Sequence, residues 1–294
     1  MLLQMNNKLV IIGASGMLGS SLLRYLSKVQ HFKVIGTVRS REAESLLRAQ
    51  GCFDIRVGVD VLQFESVAAL IEDEKPDYVI NCVGVIKQLD QAKAPLPSIE
   101  INSLLPHKLA DICDKHGAQL IHFSTDCVFS GQLGAYVESN TPDASDLYGR
   151  SKLLGEVSYG GHLTLRTSII GHEINKSLSL IDWFLSQKQA VKGFRKAIFS
   201  GLPTVYVAEF LKDFVIGHSV QGLYHLSVDP IDKFSLLSLV KRNYQVETEI
   251  REDDSFVIDR SLDSSRLREA VGFVPPSWEE LVKKMREEYR EYFE

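Results

Sequence analysis

Short, wholly apolar runs alternate along the first half of the chain with longer segments whose apolar positions recur every three or four residues. The first run spans residues 8–12, and Leu18, Leu22, Tyr25, Leu26 and Val29 then follow helical spacing. Further runs lie at 32–38, 53–57, 78–83 and 120–123, separated by helical patterns such as 61–74 and 99–116. Runs without polar alternation predict strands buried on both faces, and strands separated by helices predict parallel pairing through crossovers. The expected fold class is therefore α/β, built on a doubly wound parallel sheet.

Beyond residue 168 the elements become shorter and less regular. An amphipathic pattern covers 176–188, strand and helix pieces follow between 204 and 248, and Ser277-Trp-Glu-Glu280 reads as a capping box. The helix it opens would bury Trp278, Leu281, Val282, Met285 and Tyr289. We expect residues 1–168 to form a nucleotide-binding domain and 169–294 a smaller C-terminal substrate-binding lobe over the sheet edge, with exchange of segments left open.

The turn after the first strand carries the first chemistry. Gly13-Ala-Ser15-Gly16-Met17-Leu18-Gly19 joins a buried strand to an amphipathic helix, in G-x-x-G-x-x-G spacing. Glycines there let a pyrophosphate approach the helix N-terminus, where unpaired N–H groups and the positive end of the dipole face the anion. A dinucleotide is the expected occupant. About 20 residues on, where an acidic side chain would take the hydroxyls of an NAD ribose, there is none. Arg39-Ser40-Arg41 stands there instead, which favours NADPH over NADH; two solvated arginines opening the next helix are the alternative.

At the ends of later strands, Asp60-Val61 is a candidate adenine contact, with a helix N-cap at Asp60 the alternative. Asn81-Cys82-Val83-Gly84 would pass close beneath a cofactor, Gly84 allowing the approach. Ser124-Thr125-Asp126-Cys127 ends the fifth run, so Thr125 would sit at the carboxyl edge of the sheet and hydrogen-bond a carbonyl oxygen as charge develops on it. The loop 87–97, with two prolines, reads as an exposed segment near the substrate mouth.

Tyr148 and Lys152 are spaced to share one face of a helix. At about 5 Å and an effective dielectric of about 20, an ammonium would stabilise a phenolate by roughly 3 kcal/mol, enough to lower the tyrosine pKa by about two units. Tyr148 is thereby a candidate acid.

Composition narrows the partners. The chain has 294 residues, is 45% hydrophobic and carries a formal charge of −5, so it suits a large core and lacks the basic excess of a nucleic-acid binder. Its four cysteines show no metal or redox spacing, and two sit in apolar runs that read as strands, so reduced structural thiols are expected. Scattered histidines give no metal site. No signal-like segment or membrane-spanning run is visible, which predicts a soluble cytoplasmic protein.

Taken together, the glycine turn, Ser-Thr-Asp-Cys-Val-Phe at 124–129 and Tyr-Gly-Arg-Ser-Lys at 148–152 resemble the extended short-chain dehydrogenase/reductases, and within them the dTDP-4-dehydrorhamnose reductase branch. Leu165-Arg-Thr-Ser168, Phe199-Ser-Gly-Leu-Pro-Thr204 and Arg260-Ser-Leu-Asp263 extend the likeness over nearly the whole chain. The resemblance implies a Rossmann-type sheet, Tyr148 as proton donor, Lys152 as its activator and ribose anchor, and Thr125 as third member of the triad. It places Asn102 at the site, a buried polar group of a helix being the alternative, and Arg166 with Thr167 beside the cofactor's nicotinamide half.

In related 4,6-dehydratases a second acid follows the Asp and acts as base; Cys127 stands at that position here, which argues against dehydration. The expected activity is NADPH-dependent reduction of the C4 ketone of a nucleotide-linked 4-keto-6-deoxy sugar. Arg195, Lys196 and Arg260 are candidate diphosphate contacts, with plain surface cations the favoured alternative, and a homodimer is a further expectation. The alternatives are a nucleotide-sugar epimerase and a non-catalytic NADP-binding regulatory subunit.

Overall fold

A computed structural model describes residues 7–85, 94–174 and 179–294. Strand β1 (Asn7–Ile12) shows why the apolar runs lack polar alternation: Leu9 and Ile11 enter one core, Val10 and Ile12 another. Both faces of the strand are covered, so both sets of alternating side chains must be apolar. β2 (Phe32–Val38), β3 (Ile55–Val57), β4 (Tyr78–Asn81), β5 (Gln119–Thr125) and β6 (Leu163–Thr167) continue the sheet. With Gly222–His225 they form seven parallel strands in the order Gly222–His225, β6, β5, β4, β1, β2, β3.

This order reverses direction at β1, whose neighbours are β2 and β4. Crossovers leave to opposite faces there and open a crevice at the carboxyl ends of the strands. In register, Ile12 lies level with Asn81, Asn81 with His122, and Thr125 with Thr167. The loops after these strands therefore share one edge.

On one face, α1 (Met17–Leu26) packs with helices Thr204–Phe210 and Trp278–Tyr292 through Leu22, Leu23, Val207, Phe210 and Leu281. On the other lie α3 (Phe64–Glu74) and α5 (Leu105–His116), after α2 (Arg41–Ala49) and α4 (Pro95–Ser98). The last helix starts with the expected capping box of Ser277 and Glu280. It is tied to α1 by a buried pair, Arg24 Nη2 to Glu288 Oε1 at 2.7 Å, to which the Ser21 hydroxyl also donates. The C-terminal segments thus complete the half built on the seven-stranded sheet.

The smaller lobe is made of short pairings. Val191–Phe194 joins Ile250–Asp253, and Ala197–Phe199 lies between Ile231–Asp232 and Ile258–Asp259. Ile181, Phe184, Leu236, Val240 and Met285 fill its core. Of the amphipathic pattern at 176–188, Leu180–Ser186 is helical, whereas 176–178 lie outside the described residues, as does 87–93 of the proline-containing loop.

Several boundaries differ from expectation for local reasons. Phe53 is 68% exposed, so β3 starts only at Ile55. The third helix begins at Phe64, not 61, because Asp60 Oδ1 accepts the Leu62 amide and closes a separate turn. The pattern at 99–116 starts as a π-helical stretch, Ile99–Leu104, since Pro106 has no N–H to offer the carbonyl of Asn102. None of the four cysteines lies within a strand: Cys52 and Cys82 follow α2 and β4, Cys113 is inside α5 and Cys127 is in the 3-10 turn Asp126–Val128. Burial still raises the thiol pKa of Cys52 and Cys82, and that of Cys113 to about 12.

Candidate active site

The three glycines of the first turn have different jobs. Gly13 has φ +84°, and a Cβ there would lie 2.6 Å from Val83 Cγ2; at Gly19 it would lie 2.2 Å from the Gly13 carbonyl oxygen. Both are required by the turn's own packing. Gly16 is not: a Cβ would meet only the Gly13 oxygen at 3.6 Å, an ordinary contact. Gly16, Met17 and Leu18 instead line a cavity of about 630 Å³ at the carboxyl edge of the sheet. The α1 N-terminus has no side-chain cap and no acid in its first turn, so its free N–H groups and dipole suit an anion there. The turn fits the diphosphate of a dinucleotide.

The same cavity is lined by Thr125, Tyr148 and Lys152. Asp146 Oδ1 accepts the Gly149 amide at 2.8 Å and so fixes the start of α6 (Leu147–Leu154). Gly149 has no room for a side chain, with the Cys127 carbonyl oxygen 2.3 Å from its Cβ position. That contact seats α6 on the turn after β5 and sets Tyr148 near Thr125, both lining the cavity. Lys152, 6% exposed, donates from Nζ to the Phe123 carbonyl at 2.7 Å.

The electrostatics correct one expectation. Burial raises the Tyr148 pKa above its ordinary value and the Cys127 thiol adds to this, while the Thr125 hydroxyl opposes it. Lys152 does not pull it down: the ammonium is turned to Phe123, and burial lowers its own pKa to about 8 against the pull of Glu156. Asp126 is also raised by burial, with Arg260 opposing.

Of the remaining candidates, Cys82, Val83 and Gly84 line the cavity. Ser15 is exposed on the glycine turn. Asn102 stands behind the wall: Oδ1 accepts the Val85 amide at 2.8 Å, and Nδ2 donates to the Val85 carbonyl and to Ser151 Oγ. It positions the segment after β4 against α6. Arg166, expected beside the cofactor, is turned away into a buried fork on Glu156, 2.8 Å from Nε and 2.7 Å from Nη2, and its neighbour Thr167 reaches the cavity instead.

Arg39 is exposed at the end of β2 and has no ion-pair partner among the described residues. Ser40 caps α2 and Arg41 pairs with Glu44 at 3.1 Å. Asp60 and Val61 share this sheet edge, the Val59 amide donating to the Val38 carbonyl, but lie outside the cavity lining. Asp60 is not the cap of the following helix.

Arg195 and Lys196 follow the favoured alternative of surface cations. Arg195 pairs with Glu252 and Asp254, Lys196 with Asp254, all at the surface and outside the cavity. Arg260 does line it, with Nε on the Phe129 carbonyl at 3.0 Å and Nη1 3.4 Å from Cys127 Sγ. The opposite wall, from Phe199, Lys233, Phe256 and Ile258, was not anticipated. Phe199 and Ile258 lie in short strands, Lys233 at a helix start and Phe256 in the loop before Ile258, and no local motif sets them apart.

Among the described residues no group of His, Cys, Asp and Glu could hold a metal ion, and no helix is long and apolar enough to cross a membrane. The probable low-salt glycan biosynthesis reductase Agl14 of Haloferax volcanii is 35% identical over 148 residues, covering 50% of the chain and 46% of the relative. The match thus spans about half the length of that protein. The dTDP-4-dehydrorhamnose reductase of Aggregatibacter actinomycetemcomitans is 22% identical over 95% of the chain and 98% of its own length. In fold, the chain is similar to a crystal structure of dTDP-4-dehydrorhamnose reductase from Bacillus anthracis in complex with NADP, with a TM-score of 0.79 and 20% identity over 96% of this chain and 99% of the other. The model of the RmlD substrate binding domain matches residues 7–291, and the chain belongs to that family of the extended short-chain dehydrogenase/reductases.

Proposed function

We propose that the protein reduces the C4 ketone of a nucleotide-diphosphate-linked 4-keto-6-deoxy sugar with NADPH. One observation carries the reading: Thr125, Tyr148 and Lys152 line the same cavity as the uncapped α1 N-terminus. NADPH, when bound, supplies the hydride. Gly16, Met17 and Leu18 would hold its diphosphate, Val83 and Gly84 its nicotinamide half, and Lys152 the adjoining ribose. The unpaired Arg39 would take the 2′-phosphate, with Asp60 and Val61 towards the adenine.

Tyr148 donates its hydroxyl proton to the alkoxide oxygen formed at C4, and Thr125 hydrogen-bonds that oxygen as its charge grows. A phenol held protonated by burial is available as an acid over the whole neutral range. It gives up the proton readily only once a stronger base, the alkoxide, lies beside it. Cys127 at the position of the dehydratase base leaves reduction without an accompanying elimination.

The test is a panel of dTDP-, UDP- and GDP-linked 4-keto-6-deoxy sugars assayed for loss of NADPH absorbance, with product structure by NMR. Stoichiometric NADPH loss is expected. Conversion without it would favour an epimerase, and binding of NADPH without turnover of any sugar a regulatory subunit. A KM for NADH equal to or below that for NADPH would remove Arg39 from the site.

We also read residues 1–168 as the cofactor domain and 169–294 as the substrate lobe, with Thr204–Phe210, Gly222–His225 and Trp278–Tyr292 exchanged into the first. The proposed homodimer is supported by exposed Leu96, Ile99, Leu104 and Leu154 on neighbouring helical segments, and light scattering tests it. A cytoplasmic setting is supported by the buried free thiols of Cys52 and Cys113.

A further inference from the structure

Lys233 is placed where a helix gains nothing from it. It is the first residue of helix Lys233–Tyr244, so its charge opposes the dipole, which favours cations at the other end. The surrounding protein also desolvates its ammonium and pulls its pKa down. Among the described residues Nζ has no hydrogen-bond or ion-pair partner; it lies over the Phe199 ring, 5.0 Å from the centroid. A half-buried cation on a cavity wall, with no hydrogen-bond or ion-pair partner among the described residues, points to an acceptor on the ligand.

Its position says which part of the ligand. Asp126 and Cys127, the two residues after Thr125, feel its charge, so Lys233 faces the sugar ring beside the reacting ketone and not the glycine turn. Arg260, the other cation of this wall, is already engaged with the Phe129 carbonyl and lies close to Cys127 Sγ, so among the described residues Lys233 is the cation there whose donors are open. Around Lys233 the wall is apolar: Ala197, Phe199, Phe256 and Ile258. A polar acceptor followed by a small apolar end describes an acyl group.

We propose that Lys233 is a specificity residue for the reaction above, and that the preferred keto-sugar carries an acylamino substituent, its carbonyl oxygen on Nζ and its alkyl end against Phe199 and Phe256. The inference rests on the reductase reading and deepens it. It is tested with matched 4-keto-6-deoxy sugar nucleotides that differ only in bearing a ring hydroxyl or an acetamido group, assayed by NADPH oxidation for the wild type, Lys233→Met and Lys233→Arg.

The expected result is a wild-type preference in kcat/KM for the acetamido sugar that falls about 10- to 100-fold in Lys233→Met, the range for one charge-assisted hydrogen bond, and is partly kept in Lys233→Arg. Equal use of the two sugars by the wild type, or a preference unmoved in Lys233→Met, overturns the Lys233 assignment and leaves the reduction standing. No NADPH oxidation with any member of the panel overturns both. Thermal melting of the three proteins separates misfolding from altered preference, and if Lys233→Met does not fold, loss of the preference in Lys233→Arg decides against the carbonyl contact.

Discussion

The two walls of the cavity are built in opposite ways. On the cofactor side the contacts come from backbone and strand ends: the α1 N-terminus, the turn Gly13–Gly19, and Cys82, Val83 and Gly84 after β4. On the substrate side they come from side chains of scattered short elements, namely Phe199, Lys233, Phe256, Ile258 and Arg260. A backbone cradle tolerates few sequences because glycine and strand ends must recur at fixed spacing. A wall of side chains can change its chemistry one residue at a time without disturbing the sheet. On the proposed function, the first wall would hold a shared cofactor and the second would decide which sugar enters.

The largest expected effect lies where the walls meet. Tyr148→Phe keeps the ring and deletes the proton, so kcat should fall by about 10²- to 10⁴-fold while NADPH affinity, measured by fluorescence titration, is retained. A variant that turned over at the wild-type rate would remove Tyr148 from the chemistry. Equal loss of binding and rate would make it part of the cofactor wall only.

The next effect tests whether the cofactor wall stands alone. Glu288, from the last helix, is 6% exposed and answers Arg24 and Ser21 of α1, with the Arg24 guanidinium also stacked 4.9 Å from the Tyr292 ring centre. Glu288→Ala leaves a buried guanidinium unpaired, and urea unfolding should show a loss of about 3–5 kcal/mol. A loss below 1 kcal/mol would mean that the C-terminal helix rests on α1 without supporting it.

A smaller pair of effects separates the glycines. Gly19→Ala should cost about 1–3 kcal/mol of stability, since its Cβ has no space beside the Gly13 carbonyl. Gly16→Ala should leave the melting temperature unchanged, because φ at this residue is −76° and the space is open, yet weaken NADPH binding. If Gly16→Ala bound NADPH normally, the cavity side of the turn would not carry the diphosphate.

What could be seen in the sequence follows the same division. Strands β1, β2 and β4 and the turn after β1 are written in contiguous patterns, and the meeting of Tyr148 with Thr125 follows from strand order plus one helical turn. Arg166 was misplaced because its partner, Glu156, lies ten residues earlier in a segment with no periodicity, and nothing in Leu-Arg-Thr-Ser reveals that the buried acid claims it. Arg195 and Lys196 take the surface-cation alternative, through pairing with Glu252 and Asp254 where two short strands meet. Lys233 is the reverse case: an unremarkable lysine after a helix cap becomes a cavity cation only when Ile231–Asp232 pairs with Ala197–Phe199. Long-range pairing of irregular segments leaves no local trace.

The mildest test concerns pH and assigns a titration to one wall. Burial lowers the Lys152 pKa to about 8 and raises that of Tyr148, so in the cofactor-free protein the ammonium is the first of the two to lose its proton on going basic. Below about pH 8 Lys152 is charged and able to hold a ribose hydroxyl; above it the charge is lost. kcat/KM for NADPH, which reports the groups of the free protein, should accordingly be level below this point and fall about tenfold per pH unit above it. The same fall should survive in NADPH affinity of Tyr148→Phe, measured by fluorescence, because the phenol is gone and the lysine remains. A titration that disappears with the phenol would transfer it to Tyr148, and would mean that the Phe123 carbonyl holds Lys152 charged well beyond pH 8 despite its burial.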